Sequence, residues 1–186
     1  MHGIPPRRVL SLPLERLPEQ TEAMERAAEP EVDDEVGAVL GWLEFHRDAL
    51  AAKCEGLTAE QLVTASAPPS TLTLLGLVRH LTEMERDYLT NDLSGENRGR
   101  VYVTDDDSEA DIENLDASMV DSSMARWQAE RAAADAVITR YGSLSELSPN
   151  GRATIRAYLL KVLQEYARHN GHADIIRERI DGSRGE

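Results

Sequence analysis

The sequence predicts an all-α protein built as a four-helix bundle. Three observations carry that expectation. Four long stretches repeat apolar residues at three- and four-residue steps, the spacing of one helix face. No run of any length alternates apolar and polar residues as a half-buried strand does. Aromatic residues make up only 4% of the chain against 41% hydrophobic residues overall, so Leu, Val, Ile and Ala must fill the interior. At 186 residues the chain is most simply one domain with a core large enough to close without staples.

Residues 1–32 stand apart. Pro5, Pro6, Pro13, Pro18 and Pro30 break any long helix, and this stretch reads as an extended Pro-rich arm. The arm offers a way to embrace a second subunit, so a homodimer is an expectation. The bundle is expected over 33–182, with 183–186 as a tail. Its first helix runs from about Asp33 to Cys54, with Asp33 and Asp34 suited to its N-terminus by capping and dipole. Val36, Val39, Leu40, Leu43, either His46 or Arg47, and Leu50 form its stripe, and Gly56 follows as a stop. Thr58-Ala59-Glu60-Gln61 has the form of a capping box opening a short helix through Val63. Pro68-Pro69 forces an extended connection.

The second long helix starts near Thr71 or Thr73 and runs to about Leu93. Leu74, Leu77, Val78, Leu81, Met84 and Tyr88 or Leu89 make its apolar stripe, with Arg79, Glu83, Arg86 and Asp87 on other faces. His80 shares the apolar side, three residues after Leu77 and four before Met84. Residues 94–117 form an acidic connection, longer than helix–helix loops usually are. Its Asp105–Glu109 run lacks the ligand spacing of an EF-hand and reads as solvated, while Val101-Tyr102-Val103 is suited to packing on the bundle. The third helix runs from about Ala117 to Tyr141 and ends at Gly142. Its inward candidates include Met124, Trp127, Arg131 and Ala134. The fourth begins near Arg152–Thr154 and reaches about Ile180 before Asp181-Gly182, with Ile155, Leu159, Val162, Leu163, Tyr166, Ile175, Ile176 and Ile180 inward. The length of the 94–117 connection matches a crossover, so the helices need not run up-down-up-down.

Composition excludes several function classes. A formal net charge of −14 repels phosphate backbones, so nucleic-acid binding is not expected. No basic cluster suits an anionic membrane, no apolar run approaches the ~18 residues of a spanning helix, and the N-terminus lacks a signal-peptide core. The single cysteine, Cys54, permits no intramolecular disulfide and reads as a buried apolar filler. A cytoplasmic protein is the expectation. Nucleotide-binding Gly-x-x-x-x-Gly-Lys and nucleophile-elbow Gly-x-Ser-x-Gly patterns are absent from the sequence.

The chemistry gathers in Glu165-Tyr166-Ala167-Arg168-His169-Asn170-Gly171-His172. At 100° per residue, positions 165, 169 and 172 fall within about 60° of one another on a helix. An unpaired buried carboxylate there is costly, and a divalent cation satisfies it together with neutral imidazoles. Glu165 and His169 have the i,i+4 spacing that chelates one ion, and His80 from a facing helix completes a triad. Three protein ligands leave a position for substrate, which is the catalytic pattern. His169 and His172 with His80 form a competing triad. Glu165 is preferred because the four-residue step keeps two ligands on one stripe, leaving His172 beside the site as a proton-handling residue. His46 is a weaker fourth candidate, and His2 in the arm is discounted. A satisfied hydrogen-bonded core cluster without metal is the alternative.

The residues that bear on family are Pro68-Pro69-Ser70, Leu75-Gly76-Leu77-Val78-Arg79-His80-Leu81, Glu165–Asp174, Gly41–Arg47 and Ile180-Asp181-Gly182. Over roughly 33–182 the chain resembles the DinB-like superfamily, in its actinobacterial mini-circle-protein branch, related to the N-terminal domain of mycothiol-dependent maleylpyruvate isomerases. The resemblance implies a bundle with crossed connections and a divalent metal, most simply zinc, with nickel or iron as alternatives. It carries over onto His80, Glu165 and His169. Many DinB-like proteins have a His-x-x-x-His pair on the last helix; here Glu165 stands at the first position, as the isomerases also look to have. The implied function is a metal-dependent S-transferase of a low-molecular-weight thiol, or a related hydrolase, with a non-catalytic metal-containing binding or stress module as the alternative. The isomerase reaction itself is disfavoured, because no basic C-terminal substrate domain follows residue 186.

Overall fold

A computed structural model describes residues 29–31 and 34–185. The arm expected over 1–32 lies outside the described residues except for 29–31. The elements are α1 (Glu35–Cys54), α2 (Ala59–Leu62), α3 (Leu74–Met84), a π-helical segment (Glu85–Asn91), α4 (Asp92–Ser94), a 3₁₀ turn (Ala117–Met119), α5 (Val120–Ile138) and α6 (Ile155–Asp181). Among the described residues there is no strand, only one isolated bridge between Leu147 and Thr154, so the all-α expectation holds.

Local chemistry sets the helix starts. Asp34, Thr73 and Thr154 each cap a helix by accepting a backbone N–H from the third residue beyond. Thr58 and Gln61 form the reciprocal capping box that their spacing predicts. At the far end of α6, Gly182 takes a left-handed conformation (φ 82°) that terminates the helix.

Side-chain pairs across helices fix the topology. Arg156 near the start of α6 pairs with Glu35 at the start of α1, and Arg177 near the end of α6 reaches the backbone carbonyls of Lys53 and Glu55 at the end of α1. These two helices are therefore parallel. Arg79 of α3 reaches Ser123, and Arg86 in the following π-helical segment pairs with Glu130, so α3 and α5 also run in the same direction. By contrast, His80 on α3 meets His169, and Tyr88 one turn beyond α3 meets Tyr158, so α3 and α6 are antiparallel. The order is up-down-down-up, and residues 95–116 are the crossover that joins two parallel helices, as crossed connections require.

Leu50, Leu74, Leu75, Leu77, Leu81, Leu89, Trp127, Leu159 and Tyr166 are fully buried at the centre. Two departures from the expected faces stand out, after one open alternative that the structure decides. The second helix is not uniformly α-helical: seven residues from Glu85 are π-helical, and the extra residue per turn shifts the later positions, so that Leu89 is buried while Tyr88 is only half-buried. Glu83 and Arg86, placed on outer faces by simple periodicity, are buried. Val36 and Ile175, placed in the core, are exposed.

One buried ion pair anchors a network at the centre of the bundle. Arg47 donates through Nε to Glu85 Oε1 (2.8 Å) and through Nη2 to Oε2 (2.7 Å), while Nη1 reaches Asp135 (2.8 Å) and Glu44 (3.1 Å). Tyr166 Oη donates to Glu85 Oε1 at 2.9 Å and accepts from Trp127 Nε1 at 2.7 Å. This network ties α1, the π-helical segment, α5 and α6 together. Its member Tyr166 follows Glu165 directly in the chain.

Candidate metal centre

His80 of α3 and Glu165 and His169 of α6 converge, with one potential ligand atom from each lying within 4.8 Å of the other two. His169 Nε2 is 3.5 Å from Glu165 Oε2, close to the roughly 3.4 Å that separates two ligands held about 2.1 Å from a tetrahedral ion. The bound of 4.8 Å on the remaining separations exceeds that spacing by about 1.4 Å, within reach of side-chain rotation. Glu165 is nearly buried, at 8% exposure, and the two imidazoles are half-buried. Two nitrogen donors and one carboxylate, of which two sit one helical turn apart, form a donor set that fits a divalent cation.

His80 is oriented from outside the triad. Its Nδ1 lies 2.9 Å from Asp111 Oδ2. A buried carboxylate on Nδ1 fixes that nitrogen as the proton carrier and leaves Nε2 free for the site, an arrangement that orients metal-binding histidines generally. Asp111 belongs to the acidic crossover, and sequence reasoning missed it. Its signal was position: the exposed run Asp105–Glu109 is solvated as expected, whereas Asp111 lies between Ala110 and the half-buried Ile112 and is itself 5% exposed.

His172 is placed beside His169, with Nδ1 to Nδ1 at 3.3 Å. His46 is not brought to the triad: its backbone carbonyl accepts from Asn170 Nδ2 at 2.9 Å, and its ring packs on Trp42 and Phe45.

The charge states of His169 and Glu165 suit a cation. Burial, reinforced by the neighbouring His80 and His172, pushes the His169 imidazole down to about 4, so it is neutral near pH 7. Burial opposes ionisation of Glu165, but a hydrogen bond and charge from Lys161, with His169 and His80, outweigh it and hold the carboxyl below its ordinary range. Lys161 Nζ is bonded to Glu165 Oε1, a contact sequence reasoning did not identify.

A cavity of about 270 Å³ opens from His80, bounded by Met84, Asp87, Tyr88, Val103 and Asp111. A second of about 390 Å³ shares Asp87 and Tyr88 and continues to Asn91, Asp92 and Asn150. The wall of the first is fixed by two side chains one turn apart on α3. Glu83 accepts the backbone N–H groups of Val101, Tyr102 and Val103, and Arg79 donates to the carbonyls of Ala110 (2.8 Å) and Asp111 (3.2 Å) while stacking on the Tyr102 ring. Val101–Val103 thus packs on the bundle as its composition suggests.

The up-down-down-up bundle fits an all-α DinB-like fold, and its His/Glu/His cluster could hold an ion. A family model described as Mycothiol-S-transferase matches residues 38–182, from within α1 to the cap of α6. The chain belongs to the Mycothiol-S-transferase family. No curated protein matches it. Among the described residues no helix is long and apolar enough to cross a membrane.

Proposed function

We propose that this protein is a metal-dependent S-transferase that joins a low-molecular-weight thiol, mycothiol by family, to an electrophile, with His80, Glu165 and His169 holding the ion and zinc as its identity. The observation that carries this reading is the convergence of two imidazoles and one carboxylate within 4.8 Å beside a cavity. A bound divalent cation supplies the means to hold the thiol sulfur as thiolate near neutral pH.

The chain's residues do the rest. Asp111 keeps the proton of His80 on Nδ1, away from the triad. The Arg47–Glu85–Tyr166 network fixes the helix turn that carries Glu165. His172, in contact with His169, takes up the thiol proton. The sulfur then forms its bond to the electrophilic carbon, whose leaving group departs with the bonding electrons. The cavity past Met84 and Tyr88 receives the body of the thiol.

Protein purified without a His tag, loaded with zinc and given mycothiol and monochlorobimane, tests the reading. The expected result is one zinc per chain, a thermal shift by linkage, and conjugation with chloride release that His80→Ala abolishes. Zinc uptake without turnover on this or other electrophiles would transfer the protein to the class of metal-containing binding modules. Turnover equal in His80→Ala and wild type would refute the proposed site.

A further inference from the structure

We infer that Lys161 is a positioning residue: its ammonium occupies one oxygen of Glu165, keeps that carboxylate monodentate, and so reserves a coordination position for the incoming sulfur. This rests on the metal-dependent reading above.

The two carboxylate oxygens have different surroundings. Oε1 is bonded to Lys161 Nζ, while Oε2 is the oxygen 3.5 Å from His169 Nε2 and turned toward the triad. Lys161, Glu165 and His169 stand at successive four-residue steps on α6, so cation, carboxylate and imidazole share one stripe. The lysine reaches in from the edge of the site. Its side chain is 40% exposed against 10% for that of Glu165, and its ammonium passes 5.8 Å from the centre of the Tyr88 ring, which lines both cavities.

Helix stability does not account for the pair. A lysine four residues before a glutamate is the less favourable order for an exposed i,i+4 ion pair. Lysine is also scarce: the chain has only Lys53 and Lys161. Lys53 pairs with Asp174 away from the triad, so Lys161 is the one lysine at this site.

The chemical consequence follows from the number of oxygens. An unencumbered carboxylate can bind an ion through both. With two histidines, that would fill four positions and close the site in the manner of a structural centre. With Oε1 held by the ammonium, only three are filled. The same positive charge, set one carboxylate away from the ion, also weakens cation binding. Lys161 therefore exchanges metal affinity for an open position.

Zinc affinity measured by competition with a chromogenic chelator decides the matter, in wild type, Lys161→Met and Lys161→Arg. Both substitutes are good helix formers at a partly exposed position, so the fold is retained. Loss of the charge and release of Oε1 are expected to tighten zinc binding about tenfold in Lys161→Met. The visible spectrum of the cobalt-loaded variant changes as its coordination number rises. Lys161→Arg keeps the wild-type affinity and spectrum. Equal or weaker zinc binding by Lys161→Met overturns the inference, as does equal tightening in Lys161→Arg, because charge is then not the cause. Wild-type protein that takes up no zinc overturns the metal reading itself, which is seen before either variant is measured.

Discussion

Replacing Arg47 with Met tests whether the buried ion pair behind the site stabilises the bundle. Arg47 is 2% exposed and Glu85 is fully buried, and Arg47 donates two hydrogen bonds to Glu85, of 2.7 and 2.8 Å. Removing the guanidinium leaves the Glu85 carboxylate buried with only the Tyr166 hydroxyl as donor. Breaking such a pair by deleting one partner costs about 3–5 kcal/mol. For a chain of this length each kcal/mol moves the midpoint by about 2–4 °C, so a fall of about 6–20 °C is expected. Glu44 and Asp135, the other partners of Arg47, are about half exposed and rehydrate without comparable loss. The second substitution is decisive. Arg47→Met with Glu85→Gln removes both charges and keeps an acceptor for Tyr166, and it is expected to recover to within about 2 kcal/mol of wild type. Urea denaturation of metal-free protein, followed by far-ultraviolet dichroism, measures both variants. A single variant within 1 kcal/mol of wild type, or a double variant no better than the single, would refute the argument.

Three further outcomes are expected. Asp111→Ala frees the His80 ring and lowers zinc affinity about 10–100-fold, as loss of a carboxylate behind a metal-binding histidine generally does; unchanged affinity in a chelator competition would remove Asp111 from the site. His169 has its folded-state value depressed to about 4 from 6.5, so between these values the unfolded chain binds a proton that the native chain does not. Metal-free protein therefore loses stability as pH falls from about 6.5 to 4, and thermal melts of His169→Gln are expected to show a shallower decline over that window; parallel curves would contradict the shift. Cys54 is buried and its thiol is pushed up to about 12 by burial, so native protein should not react with Ellman's reagent until denatured; stoichiometric native labelling would show the thiol to be accessible.

Much of the architecture was legible because it rests on local chemistry. Thr58, Thr73, Thr154 and Gly182 act within a few residues of themselves, and the apolar steps of the helices report their faces directly. The His80, Glu165 and His169 convergence was legible for a related reason. Two of its members are one turn apart, and the third interrupts an apolar stripe. What periodicity missed depends on tertiary partners. Glu83 is buried because three loop amides converge on it, and Arg86 because Glu130 faces it. A regular 3.6-residue period also misplaces side chains beyond Glu85, where the backbone gains a residue per turn. Lys161 carries no signal of its own in the sequence, since only the three-dimensional position of Glu165 gives it a role.

The double anchoring of the crossover by Glu83 and Arg79 decides where an entropic penalty falls. Immobilising one backbone residue costs about 1–2 kcal/mol. Val101–Val103 and Ala110–Asp111 are already held to α3 before any ligand arrives, so their ordering belongs to folding and not to association. A ligand entering beside His80 meets a preformed wall, and its affinity reports contacts made rather than loop motion suppressed. Loosening either anchor would move that penalty onto the binding step and slow capture, with the triad itself unchanged.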